Sequence, residues 1–147
     1  MTLGVAAALA ALAIAPLASG DAVYHSQHVA LQAVGSSPLR SGFVENIHPN
    51  GPNVFAHEVY VLNGAEPGTT YQVTLLIYPL DPVCAAGPAL IPTAQLTTNG
   101  IGNGRADFFI APGDVPAALR SATHGVRWTV TSATSSYETT CSAVTLD

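Results

Sequence analysis

Lysine is absent from this chain of 147 residues, and four arginines face nine carboxylates. A net charge of −5 leaves no basic face for a phosphate backbone or an anionic membrane surface. Nucleic acid is therefore excluded as a partner. There are only two cysteines and one tryptophan. Two lone cysteines do not have the ligand spacing of a zinc site. No serine stands in a nucleophile-elbow pattern. The glycine-rich stretch from Asn99 to Gly104 runs into an extended segment rather than a helix, so it lacks the helix terminus that a phosphate cradle needs. No catalytic residue and no cofactor is expected.

One long apolar run is present, residues 3–18, followed by the small residues Ser19 and Gly20. This pattern reads as a secretory signal peptide over residues 1–20, cleaved after Gly20 or Ala22. Sixteen apolar residues fall short of the roughly 20 that span a bilayer, so no membrane insertion is expected after cleavage. Residues 21–147 are left as one domain, large enough for a real core. The expected location is extracellular, and there Cys84 and Cys141 are expected to form one intramolecular disulfide. Missing lysine beside abundant Ala, Gly, Pro and Thr suits a GC-rich bacterial source.

Strand patterning fills the rest. Extended segments are expected at residues 28–34, 40–47, 54–62, 70–78, 93–98, 105–110, 126–131 and 137–146. Residues 70–78 give the clearest signal, with Tyr71, Val73, Leu75 and Ile77 in one phase. Phe55, His57, Val59 and Val61 share a face of the segment before it. Residues 48–53 form a Pro/Asn/Gly turn cluster. Residues 93–110 read as a hairpin turning on Asn99 to Gly104, where Gly and Asn tolerate positive φ. One short helical turn is expected near residues 114–119, with Asp114 as its N-cap. The predicted fold is all-β, an antiparallel two-sheet sandwich of seven to eight strands, with a small closed barrel as the alternative.

The segment Pro67-Gly68-Thr69-Thr70-Tyr71-Gln72-Val73, together with the strand around Trp128, resembles secreted immunoglobulin-like and fibronectin type III-like domains. The resemblance implies a β-sandwich. It implies no functional residue, because such folds carry many functions.

The remaining candidates are side chains on strands. Trp128 alternates with Val126 and Val130 and is expected in the core. Tyr60, Tyr78 and Tyr137 are candidate ligand-binding residues, an exposed strip on which sugar rings could stack. Glu58 and Asp107 are the only carboxylates in strand phase, and surface solvation accounts for both. His25 and His28 fall on opposite faces of a strand. A metal-dependent secreted enzyme would need His57 and His124 to converge with the other histidines. A calcium site would draw on Asn99, Asn103, Asp107 and Asp114 without the spacing of a calcium hand. The leading expectation is a non-catalytic extracellular structural or binding module, with a protein or a polysaccharide of the cell envelope as partner. Carbohydrate binding through the tyrosines and metal-dependent catalysis are its rivals.

Overall fold

A computed structural model describes residues 24–49, 56–114 and 116–145. The expected signal peptide, its cleavage positions, and residues 50–53 of the turn cluster lie outside the described residues. Nine strands follow in chain order: β1 (Tyr24–Ala33), β2 (Ser41–Pro49), β3 (Ala56–Asn63), β4 (Thr70–Tyr78), β5 (Ala89–Thr97), β6 (Gly104–Ile110), β7 (Thr123–Thr131), β8 (Ser136–Thr139) and β9 (Ser142–Thr145). Two single 3-10 turns, Pro112–Asp114 and Ala117–Leu119, join β6 to β7. The second starts from Pro116 without a side-chain cap, so Asp114 is not the expected N-cap.

The all-β, antiparallel expectation holds. The sheet, however, is nearly closed and barrel-like rather than cleanly parted into two layers. The strand order is β5-β4-β7-β8-β1-β2-β3-β6, with β9 also paired to β7. The cause is β1. Its residues 24–30 pair with β2, and residues 31–33 pair with β8. One long strand thereby carries the hydrogen bonding from one half of the barrel into the other.

The expected hairpin at residues 93–110 does not form. β5 pairs with β4 and β6 pairs with β3, so these two consecutive strands are the ends of the path. The Asn/Gly connector turns a corner at the seam. Asn99 Oδ1 accepts the Ile101 and Asn103 amides at 3.1 and 3.0 Å. Gly102 has φ +79°, and a Cβ there would lie 2.0 Å from the Ala65 carbonyl oxygen. Only glycine fits that approach. Pro92 lacks an N–H and sits in β5 beside a register irregularity opposite Val73 and Thr74. An edge strand tolerates such a residue, whereas a strand paired on both sides does not.

The expected last strand is broken in two. β8 pairs with residues 129–131 of β7, and β9 pairs with residues 123–126. Cys141 lies at the break, bridged to Cys84 with Cα atoms 6.0 Å apart. Cys84 lies in the loop after β4, as expected. That loop packs hard on β7. A Cβ at Gly125 would come within 2.3 Å of the Asp81 carbonyl oxygen and 2.7 Å of Cys84 Sγ.

Inside the barrel lie Trp128, Tyr60, Tyr71, Tyr137, Leu62, Leu96, Val44, Val73 and Val130, all fully buried. Trp128 is thus in the core, as its phase implied. In β3 the phase is the reverse of the apolar one read from the sequence. Ala56, Glu58, Tyr60 and Leu62 point inward, while His57, Val59 and Val61 are half-buried on the other face. Both phases of this strand are apolar enough to be a core face, so periodicity alone does not choose between them.

Candidate functional site

The inverted phase of β3 puts a carboxyl group inside the barrel. Strand register then decides its surroundings. Asn46, Glu58 and Phe108 are cross-strand neighbours on β2, β3 and β6. Ile91, Leu75 and Trp128 form a corresponding row on β5, β4 and β7. The two rows face each other across a partly enclosed pocket of about 290 Å3. Ala56, Ile77, Ile110, Val126 and Val144 extend its apolar wall, and His124 joins Asn46 and Glu58 as a third buried polar side chain. The exposed residues Asp114 and Pro116, with half-buried Leu119, belong to the lining and come from the connector between β6 and β7.

Glu58 is 2% exposed. Its Oε2 accepts hydrogen bonds from Tyr60 Oη and from Trp128 Nε1, the latter at 3.0 Å. Tyr60 Oη also contacts Thr93 Oγ1 at 2.8 Å, linking β3 to β5 across the seam. Burial pushes the Glu58 carboxyl above its ordinary range, and the two donated hydrogen bonds oppose that shift only in part. Burial, reinforced by the adjacent carboxyl, likewise pushes the Tyr60 phenol up. The site is a largely apolar cavity with a protonation-sensitive acid at one wall. The expectation of a solvated surface carboxylate at Glu58 is therefore wrong. The signal available in sequence was its shared phase with Tyr60 and Leu62.

The proposed tyrosine strip does not exist. Tyr60 and Tyr137 are fully buried, and Tyr78 is 5% exposed. Tyr60 is spent on Glu58. Tyr137 Oη donates to the Pro38 carbonyl oxygen at 2.8 Å, and its ring packs 5.5 Å from that of Tyr71. Tyr78 ends β4 where the chain turns into the disulfide loop, its carbonyl accepting the Asp81 amide at 3.2 Å. Amphipathic rings with a partner for the hydroxyl are core residues.

The histidines are dispersed. His25 stacks on His48 across β1 and β2, with ring centroids 5.4 Å apart. His28 bonds Glu45 at 2.9 Å. His57 lies on the outer face, 3.8 Å from Asp107. His124 faces the pocket. Among the described residues no three His, Cys, Asp or Glu gather as a metal-ligand group. The calcium candidates do not converge either, since Asn99 and Asn103 spend their side-chain oxygens on backbone amides of the corner.

A raised carboxyl pKa has a defined consequence for stability. Between the unfolded value, near 4.5, and the higher folded value, the native state holds a proton that the unfolded chain has released. Stability contributed by Glu58 is complete below that window and is lost as pH rises through it. Glu45, Glu66 and Asp81 act in the opposite sense. Hydrogen bonds from Ser26, Ser135 and the Ala86 amide, respectively, hold them low, so their contribution disappears in acid. Stability is thus expected to peak in mildly acidic solution. Glu58→Gln, which keeps an acceptor for Trp128 and Tyr60, is expected to flatten the decline towards neutral pH. Urea melts from about pH 4 to pH 8 test this, and superimposable slopes for the two proteins would show that Glu58 is not its source.

Comparison with protein-family models, with curated proteins and with solved structures finds no match, so the resemblance to immunoglobulin-like and fibronectin type III-like domains gains no support from them.

Proposed function

We propose that this chain is a secreted, non-catalytic binding module whose barrel holds a small, largely apolar molecule in the pocket beside Glu58. The observation that carries the reading is the pocket itself, about 290 Å3 between two rows of mostly apolar side chains. A concave apolar site with a few convergent polar groups is the usual form of a small-molecule site. Its volume is about twice that of the 150 Å3 apolar cavity that accommodates benzene, which sets the scale at two fused six-membered rings. The Cys84–Cys141 bridge is compatible with an oxidising compartment. The non-catalytic element rests on the sequence, which carries no nucleophile pattern.

Trp128 makes the test simple, since it is the sole tryptophan and lines the pocket. Titration with naphthalene, two fused six-membered rings, is expected to change the emission of Trp128, with saturation at one equivalent. Ile91→Phe, which adds bulk at the end of the row that holds Trp128, is expected to weaken binding at least about tenfold, through the steric cost of overpacking. Failure of any apolar probe of this size to bind the wild-type protein would falsify the reading.

A further inference from the structure

The pocket contains a polar group whose hydrogen-bonding sense is fixed. His124 is 3% exposed and lines the wall. Its Nδ1 accepts the Leu80 amide N–H at 3.1 Å. A ring nitrogen that accepts carries no proton, so the proton of the neutral imidazole sits on Nε2. Nε2 is buried, and among the described residues it has no hydrogen-bond partner. Buried donors are rarely left unpaired, because the penalty exceeds what a typical hydrogen bond contributes. Nδ1 is occupied by the loop and His124 is one of the residues that line the pocket, so Nε2 is the ring nitrogen left for a ligand.

We infer that the pocket's ligand carries an uncharged carbonyl oxygen, as a ketone, ester or lactone, on an apolar body, and that the Nε2–H of His124 donates to it. This rests on the small-molecule reading above. The rest of the lining selects against charge. No lysine or arginine is present in it to receive a carboxylate, and Asp114 at its rim would repel one. An ammonium would set a second donor against the His124 N–H and leave that proton unpaired. Either charged ligand also loses its hydration on entering an apolar wall.

Four molecules of one shape separate these possibilities: tetralin, α-tetralone, aminotetralin and tetralin carboxylate. Binding is followed by Trp128 emission and by calorimetry. Wild-type protein is expected to bind α-tetralone about tenfold more tightly than tetralin, and both charged analogues more weakly than tetralin. The carbonyl stretch of bound α-tetralone is expected to fall in frequency. His124→Phe keeps a ring and leaves the Leu80 amide in an exposed loop. In that variant the ratio of ketone to tetralin affinity should fall to about one, whatever the added bulk does to both, and the frequency shift should be lost. Equal binding of tetralin and α-tetralone, tightest binding of aminotetralin, or a ketone advantage that survives His124→Phe overturns the inference and leaves the apolar pocket standing. Binding of none of the four overturns the pocket reading, and this inference with it. Should His124→Phe fail to fold, the wild-type series and the carbonyl frequency decide the question alone.

Discussion

Trp128→Ala is expected to destabilise the protein by about 3–5 kcal/mol, the usual cost of removing a buried indole. That is a large share of the roughly 5–15 kcal/mol that holds a domain of this size together. Two losses combine. The ring is fully buried where the row Ile91, Leu75 and Trp128 closes the pocket. Its Nε1–H also supports Glu58 Oε2. Trp128→Phe separates the two, since it keeps most of the apolar bulk and deletes the donor. Its cost is expected to be smaller, about 1–3 kcal/mol, and to grow as pH rises through the Glu58 titration, because an ionised carboxylate needs that hydrogen bond more. Urea unfolding followed by far-ultraviolet circular dichroism measures both, because neither variant retains a tryptophan. A Trp128→Ala protein within about 1 kcal/mol of wild type is incompatible with the ring's place in the core.

The second large effect belongs to the disulfide. Cys84 and Cys141 are 57 residues apart. Closing a loop of that length restricts the unfolded chain by about 4 kcal/mol in the chain-entropy account. Cys84→Ser, Cys141→Ser and the double variant are expected to lose similar amounts, and each should melt about 10 °C or more below wild type. Full reduction and alkylation of the wild-type protein should reproduce that drop. If reduction leaves the melting temperature unchanged, the bridge contributes no stability. The position of the bridge adds a local effect. It ties the loop after β4 to the break between β8 and β9, the one place where the ladder beside β7 is interrupted.

How much was legible in the sequence depends on where each signal lives. β4 spans the same residues, 70–78, as the segment read from alternation, because its apolar phase points to one side only. β3 has apolar residues in both phases, and its orientation is settled by Tyr60 and Leu62 finding the core. The Asn/Gly run after β5 marks a reversal of the chain. Whether the flanking strands then pair is decided by β3 and β4, which claim β6 and β5 instead. The end of the chain reads as one strand because nothing in residues 136–145 announces a break. The break arises where Thr139 turns its side chain and carbonyl to the Trp128 amide and the Arg127 side chain. Glu58 was the least legible residue of the site. Its environment is set by Trp128, 70 positions away, and its shared phase with Tyr60 and Leu62 is the one local trace of its burial. His124 was visible as a histidine in a strand. The tautomer that gives it a role comes from Leu80, across the disulfide loop.

Sharing β1 between the two halves of the barrel bears on when the fold can be completed. Residues 31–33 are among the first described residues that a ribosome would deliver, yet their partners on β8 are residues 137–139. Nearly the whole domain must emerge before that pairing is available, and until then the far end of β1 has an open edge. Pairings of such long sequence separation place a chain among slow-folding topologies, since loop entropy is lost before the contacts repay it. Exposed strand edges during that wait invite pairing between chains. The strand that unifies the finished barrel is therefore also the one that waits longest for its last neighbour.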